Sequence, residues 1–197
     1  SLIVFTSDRD DLYGNPADTN GDGSTTTPAQ GNWTYIRFTS TSNDAMSRIN
    51  NARLTYGSAG PYDGWATTVW ITNAAPTIDS VFISKGAYGV RVDGNSTPLI
   101  DHCDINNCAS APIVMSVLSD PIITNNSFST NGYNALALMS ETLSQNALLK
   151  YRPTVGPPAY PVFAYLPTGP ITVGAGVTLA IEPQVVLKPS SSYAVFS

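Results

Sequence analysis

The chain has 197 residues, of which 42% are hydrophobic and 12% are charged, and its formal net charge is −5. Nine lysines and arginines scattered through an acidic chain provide no basic patch for nucleic acid, and no apolar run reaches the roughly 18 residues that cross a membrane. Glutamate occurs only at two positions, while Thr, Val and Ile are common. We therefore predict one β-rich domain with little helix, no nucleic-acid partner and no membrane insertion.

The N-terminal segment, residues 1–34, combines a predicted first strand with an acidic loop. Asp18, Asn20, Asp22 and Gly23 match positions 1, 3, 5 and 6 of an EF-hand calcium loop. The segment departs from that pattern at position 12, where Ala29 stands in place of a bidentate glutamate, and no flanking helix is predicted. We predict a structural Ca²⁺ here, and its candidate ligands are the oxygen-bearing side chains of the segment: Asp8, Asp10, Asp11, Asp18, Asn20, Asp22 and Ser24.

Charge repulsion supports this calcium prediction, because five of the fourteen acidic residues lie within the first 22 positions. The alternative is a solvated loop in which Asp and Asn side chains accept hydrogen bonds from nearby backbone amides. A bound Ca²⁺ would stabilise a long loop and would not catalyse a reaction.

Residues 35–150 carry an internal repeat. The pattern Pro-x-Ile recurs at Pro76, Pro98 and Pro121, with spacings of 22 and 23 residues. Such a period is typical of a solenoid, because one short copy cannot bury its own apolar face. Matching positions predict three inward columns: Ile78, Ile100 and Ile123; Val81, Cys103 and Asn126; Ile83, Ile105 and Phe128. We predict an all-β fold, a right-handed parallel β-helix with coils stacked about 4.8 Å apart.

Each coil contains a second predicted strand, at residues 89–92, 112–115 and 135–138. A degenerate earlier copy at 49–54 is followed by a strand at 68–71, after an insertion at 57–64 that loops out of one corner. Asparagine tolerates a left-handed backbone. The corners are therefore predicted at the Asn pairs of residues 50–51, 106–107 and 125–126.

The C-terminal part is less regular. Residues 151–170 include six prolines between positions 153 and 170, and because proline cannot donate to a ladder we predict an irregular crossing without a central strand. Residues 171–197 alternate apolar and small or polar residues, which predicts two or three terminal strands. All of residues 1–197 are predicted to form one module.

Four segments resemble the large bacterial extracellular right-handed parallel β-helix repeat proteins: residues 3–11, 18–24, 31–33 and 177–183. Together with the Pro-x-Ile coils they cover nearly the whole chain. In those proteins the Ile-Glu-Pro strand, here at 181–183, normally precedes the Phe-Thr-Ser strand, here at 5–7, so the order is permuted. The resemblance implies a secreted or cell-surface location and ends that meet further coils, in a tandem array or a head-to-tail filament.

From these features we expect an extracellular structural module whose partners are copies of itself or adjacent modules, with glycans as a further option. One alternative is a polysaccharide lyase or hydrolase, since Asp79 and Asp101 occupy equivalent outward positions on adjacent coils. The third coil has Thr124 instead of an acid, and no known catalytic motif is present. We therefore assign no catalytic residue and lean against an enzyme.

Another alternative is a glycan-binding adhesin in which Tyr56, Tyr62 and Trp65 stack on sugar faces. The competing interpretation is that these aromatic side chains cover the edge of a coil. His102, the only histidine, is expected at the surface or at a corner. Cys103 and Cys108 are expected to be reduced core residues, although their pairing is left open.

Overall fold

The computed structural model describes residues 2–153, 155, 163–189 and 196–197, and these contain seventeen strands and no helix. No helix among them is long and apolar enough to cross a membrane. The strands are β1 (Ile3–Phe5), β2 (Ile36–Phe38), β3 (Arg48–Thr55), β4 (Thr67–Thr72), β5 (Thr77–Ser84), β6 (Tyr88–Asp93), β7 (Leu99–Asp101), β8 (Asp104–Asn106), β9 (Ile113–Met115), β10 (Ile122–Thr124), β11 (Ser127–Ser129), β12 (Leu136–Leu138), β13 (Glu141–Leu143), β14 (Ala147–Leu149), β15 (Tyr165–Pro167), β16 (Ile171–Val173) and β17 (Leu179–Ile181).

The paired strands of the described residues are all parallel, and each pairs with its counterpart in the next coil. Sheet 1 contains β1, β3, β5, β7, β8, β10 and β11. Strands β3 and β5 run along both halves of sheet 1, whereas later coils split into β7 and β10 in the first half and β8 and β11 in the second. Sheet 2 has the order β15-β12-β9-β6-β4-β2. This topology confirms the predicted parallel β-helix.

The predicted apolar columns point inward. Ile78, Ile100 and Ile123 are stacked in register in sheet 1 and are all buried. The inward column of sheet 2 steps from Val69 through Val90, Ile113 and Leu136, at intervals of 21, 23 and 23 residues. Because consecutive coils place apolar side chains over one another, the core is continuous along the axis.

Asn126 is a polar residue within an inward column, and its hydrogen bonds explain why it is tolerated there. Its Oδ1 accepts the backbone N–H of Cys103 at 2.8 Å, and its Nδ2 donates to the Ile100 carbonyl at 3.0 Å. Both ends of the buried amide are therefore satisfied by the coil beneath it.

The corners of sheet 1 repeat a left-handed backbone at equivalent positions of consecutive coils. One corner has Asn51, Ser80, His102 and Asn125, with φ between 49° and 56°. The other corner has Tyr56, Lys85, Asn107 and Thr130, with φ between 50° and 66°. The predicted turn role of Asn51, Asn107 and Asn125 is confirmed, and the coils accept other residues at the same positions.

The Pro-rich segment is less irregular than predicted, because residues 165–167 form strand β15 at the edge of sheet 2, where it pairs with β12. Backbone N–H groups of a parallel strand point alternately to its two neighbours. Tyr165 donates to Val186 on the side away from β12, while Thr168 donates to Leu138 of β12. Pro167 therefore directs its nitrogen away from β12 and removes no bond from that pair. The predicted crossing otherwise falls mainly on residues 154 and 156–162, which lie outside the described residues.

The prediction of two or three terminal strands is confirmed by β16 and β17, which pair with β13 and β14. A further parallel bridge joins Leu187 to Tyr165, and another joins Phe196 to Ile171. The tail thus adds a last turn to the same stack.

Candidate functional site

The acidic loop of the N-terminal segment folds around two aspartates. Asp18 accepts the backbone N–H groups of Asp22 and Gly23, at 3.0 and 2.9 Å. Gly21 and Gly23 have φ of 71° and 63°, which lets the chain bend sharply around the Asp18 carboxylate. Each oxygen of Asp18 receives one hydrogen bond, so a lone pair is left on each for a cation.

The Asp22 carboxylate accepts more hydrogen bonds than that of Asp18. It accepts the N–H groups of Thr25 and Thr26, the Thr26 hydroxyl and the Asn20 amide. The hydrogen bond from the Thr26 hydroxyl is the main cause that lowers the pKa of Asp22. A calcium ion bound to Asp22 would have to displace one of these donors. The loop thus already shows the hydrogen bonds of the solvated alternative.

Three further candidate ligands, Asp8, Asp10 and Asp11, lie in the segment that follows β1. Asp10 is buried and accepts hydrogen bonds from the Thr6 hydroxyl and the Leu12 backbone N–H. Asp8 is exposed and accepts the Ser7 hydroxyl at 3.2 Å. Asp11 Oδ1 is buried and has no hydrogen-bond partner among the described residues, and such an oxygen suits a hard cation.

The predicted ligands are not gathered into one cluster. In the described part of the chain, the only three acidic, His or Cys side chains with ligand atoms within 4.8 Å of one another are Asp79, Asp101 and His102. Ser24 lies beside Asp22 in the chain, is exposed, and has φ of 72°. The oxygen chemistry of the loop fits Ca²⁺, and the calcium site stays a prediction.

The outward face of sheet 1 carries a ladder of polar residues in register: Asn50, Asp79, Asp101 and Thr124. Asp101 Oδ1 accepts the Thr124 hydroxyl at 2.6 Å and the Asn125 amide at 2.9 Å. His102 Nδ1 lies 2.9 Å from Asp101 Oδ2 and 3.8 Å from Asp79 Oδ1. His102 occupies the exposed corner, as the sequence predicts.

This ladder does not favour the glycosidase alternative. The hydrogen bond from the Thr124 hydroxyl is the main cause that lowers the pKa of Asp101, whereas a catalytic general acid needs a raised pKa.

The outward face of sheet 2 centres on Arg91, which the sequence did not single out. Its guanidinium lies 4.5 Å from the centroid of Trp70 and donates to Asp63 and Asp93 at 2.7 and 2.8 Å. Arg37 covers Trp70 at 3.8 Å. Because cations already occupy this aromatic surface, it offers no open platform for a sugar ring.

The aromatic residues of the adhesin alternative are dispersed as well. Trp65 packs against the buried cluster on the outside of sheet 2. Tyr56 hydrogen-bonds through its hydroxyl to Lys85, while Tyr62 is fully exposed in the insertion loop. The packing interpretation therefore describes Trp65 better than a role in binding glycans.

A family model for the right-handed β-helix region matches residues 29–151. The chain belongs to this right-handed β-helix family. Curated proteins and solved structures give no match. The matched residues contain strands β2 to β14 and leave out β1 and β15 to β17.

Both ends of this β-helix leave inward-pointing apolar side chains uncovered. Ile3 and Phe5 of β1 stack on Ala52 and Leu54, yet they are 52% and 40% exposed whereas their partners are 1% and 0% exposed. At the other end Ile181 stacks on Leu149, and exposure rises from 2% at Leu149 to 43% at Ile181. The interior columns therefore reach the surface at the two ends.

The two cysteines of the β-helix are free and buried. Burial raises the pKa of Cys103 and of Cys108 to about 12. The expectation of reduced core residues agrees with this, and thiolate chemistry is suppressed at both sites.

Proposed function

We propose that this β-helix is a structural module of an extracellular surface protein, and that its coil stack continues by head-to-tail contact with a further copy of the chain. The observation that carries the proposal is the exposure of inward-column side chains at both ends. An unpaired strand edge beside uncovered apolar residues is a template for another parallel strand.

The two ends are chemically similar and structurally different, which favours a head-to-tail arrangement. Strand β1 presents Ile3 and Phe5 with one free edge, and β17 presents Ile181 with the opposite edge. A contact between two different surfaces is heterologous, so it can be repeated without closing. The product is a filament in which each junction copies the spacing of the coils.

The calcium prediction becomes part of this proposal. Extracellular fluids contain enough Ca²⁺ to fill weak loop sites, and the free lone pairs of Asp18 and the unpartnered oxygen of Asp11 support binding in the N-terminal segment. This segment directly follows β1, so an ordered loop would hold the strand that receives the next copy.

Sedimentation velocity over a range of concentrations tests the head-to-tail contact. We expect the wild type to form species that grow beyond dimers, and Ile3→Lys to stop growth because the charge enters the apolar junction. Leu12→Lys is the matched control, since Leu12 is highly exposed but lies in the loop and outside the columns. A wild type that stays monomeric at every concentration contradicts the proposal.

Mixing two blocked variants sharpens this test. Ile3→Lys keeps a working β17 end and Ile181→Lys keeps a working β1 end, so their mixture should give a 1:1 dimer that grows no further. Each variant alone should remain monomeric. Dimers formed by either variant alone would show a symmetric contact and would exclude the head-to-tail arrangement.

Thermal unfolding with and without Ca²⁺ tests the loop. We expect chelation to lower the melting temperature of the wild type and to leave Asp18→Asn unaffected, because that variant has lost the central ligand. Asp104→Asn, on the outward face of sheet 1, should respond to chelation as the wild type does. An identical melting temperature of the wild type in Ca²⁺ and in chelator would refute the calcium site.

A further inference from the structure

A second candidate cation site lies far from the N-terminal loop in the sequence, on the polar ladder of sheet 1. Asp79 and Asp101 are neighbours in register on β5 and β7, and His102 follows Asp101 at the corner. A carboxylate oxygen from each aspartate and Nδ1 of His102 lie within 4.8 Å of one another. Two coils thus bring two ligand types to one spot.

The charge of this spot is not balanced by the protein. In the described residues the ion pairs of Asp79 and Asp101 involve only His102, and neither carboxylate meets a lysine or an arginine. Like charges at paired positions of neighbouring strands repel each other. The carboxylates are held in place by neutral donors, Ser80 on Asp79 and Thr124 and Asn125 on Asp101.

A second observation comes from the adjacent coil. Asn50 pairs in register with Asp79, and its Oδ1 is inaccessible to solvent without any hydrogen-bond partner in the part of the chain that the structure describes. A buried amide oxygen normally has a donor. A cation on the neighbouring rung would interact favourably with this unsatisfied oxygen.

The distances suit a small tetrahedral ion. Zinc binds imidazole nitrogen and carboxylate oxygen at 2.0–2.2 Å, so neighbouring ligand atoms lie about 3.3–3.5 Å apart. The observed separations from His102 Nδ1, 2.9 Å to Asp101 and 3.8 Å to Asp79, lie on either side of that value. Small rotations of the partly exposed His102 side chain would equalise them.

We propose that Asp79, Asp101 and His102 bind a divalent transition metal ion, with Zn²⁺ as the probe. An imidazole ligand favours such ions over Ca²⁺ and Mg²⁺, which prefer oxygen donors throughout. Thr124 and Asn125 hold Asp101 as outer-shell residues hold metal ligands. The fourth position is open to solvent, because the His102 side chain is 60% exposed.

Isothermal titration with Zn²⁺ and the absorption spectrum of the Co²⁺ form test this site. We expect one ion per wild-type chain and loss of that binding in His102→Asn. Asparagine is the suitable replacement because Asn51 and Asn125 occupy the same left-handed corner in neighbouring coils, so the fold should be retained. Asp104→Asn, on the second half of the same face, should bind as the wild type does.

Two further measurements separate a built site from unspecific binding. His102 is the only histidine, so its imidazole resonances should shift in step with the first equivalent of Zn²⁺. Thr124→Val should weaken binding by about tenfold through loss of its hydrogen bond to Asp101. Equal affinity in the wild type and His102→Asn, or an imidazole signal unchanged by Zn²⁺, would overturn the proposal. Neither result depends on whether the chain forms filaments.

Discussion

The two sheets of this β-helix share one inward pattern and differ in what lies outside them. In sheet 1 the outward residues Asn50, Asp79, Asp101 and Thr124 stay partly exposed. In sheet 2 the outward positions from β6 to β15, occupied by Arg91, Val114, Ala137 and Leu166, are all buried. The same ladder geometry thus yields a polar face on one side and a second core on the other.

The cover of sheet 2 comes mainly from residues outside its strands. Val114 and Ala137 pack with Trp65, directly after the insertion, with Ala111 and Met139 beside the corners, and with Tyr88 at the start of β6. A β-helix face is therefore solvent-exposed only where no corner loop folds back over it. The polar ladder of sheet 1, with its candidate metal site, is the face that remains accessible.

The largest effect is expected from a charge placed outside sheet 2. Ala137→Asp should destabilise the chain by about 4 kcal/mol or more, because the carboxylate would be buried between the apolar neighbours Val114 and Leu166. The matched change on sheet 1 is Ile122→Asp, at an outward position that is already exposed, and it should cost less than about 1 kcal/mol. Urea unfolding of both variants measures the difference, and equal losses would contradict the contrast between the faces.

Two stacked arginines provide the next comparison. Arg91→Met should cost about 2–4 kcal/mol, because it leaves the carboxylates of Asp93 and Asp63 without their cation. Arg53 covers Phe82 on sheet 1 at 4.0 Å, and among the described residues it has no carboxylate partner, so Arg53→Met should cost less than about 1 kcal/mol. Denaturant midpoints of the two variants test whether Arg91→Met loses more stability than Arg53→Met. A larger loss at Arg53 would reverse it.

A smaller change, this time a gain in stability, is expected from a substitution at the corner of sheet 1. Thr130 is β-branched with φ of 53°, a conformation that such residues rarely adopt, whereas Asn107 occupies the equivalent corner one coil earlier. Thr130→Asn should stabilise the chain by about 1 kcal/mol. Ser129→Asn, one residue before the corner, should bring no gain. Calorimetric melting of both variants decides whether the left-handed corner is the cause.

The smallest effect concerns pH. Hydrogen bonding, chiefly from Thr124, lowers the pKa of Asp101 below its ordinary value of 3.8, so its contribution to stability is present above pH 3.8 and is lost as the pH falls through the folded-state pKa. Burial raises the pKa of Glu141, next to sheet 2, above 4.5, so its contribution is present below pH 4.5 and is lost as the pH rises through the folded-state pKa.

Urea unfolding between about pH 3 and pH 7 separates these two groups. The free energy of unfolding that Asp101→Asn loses relative to the wild type should be smaller at acid pH than at neutral pH. For Glu141→Gln, the free energy of unfolding relative to the wild type should be highest at neutral pH. Parallel pH profiles for the wild type and both variants would show that neither pKa shift contributes to folding.

The inward columns could be predicted from the sequence because the spacing of Ile78, Ile100 and Ile123 directly reflects one coil. The pairing of Asp79 with Asp101 followed from the same spacing. The position of the His102 side chain between them did not, since it depends on the left-handed corner and on the direction of its side chain. The burial of Val114 also escaped prediction, because the residues that cover this face include Trp65 and Tyr88, which are distant in the sequence.

The strand at Tyr165–Pro167 shows a different limit. Proline content alone argued against pairing there, but the outcome depends on which neighbour each N–H faces. This alternation is set by the register with β12 and cannot be read from the composition of the segment.

Because every strand lies across the axis of the stack, the hydrogen bonds between coils are oriented along it. Tension applied between the two ends would therefore load these bonds by peeling, one coil after another. Each released coil of 22 residues would add roughly 70–80 Å of contour length. A tethered β-helix of this kind would lengthen coil by coil under force, in longer steps where a coil carries more residues, and each step would dissipate the energy of one turn.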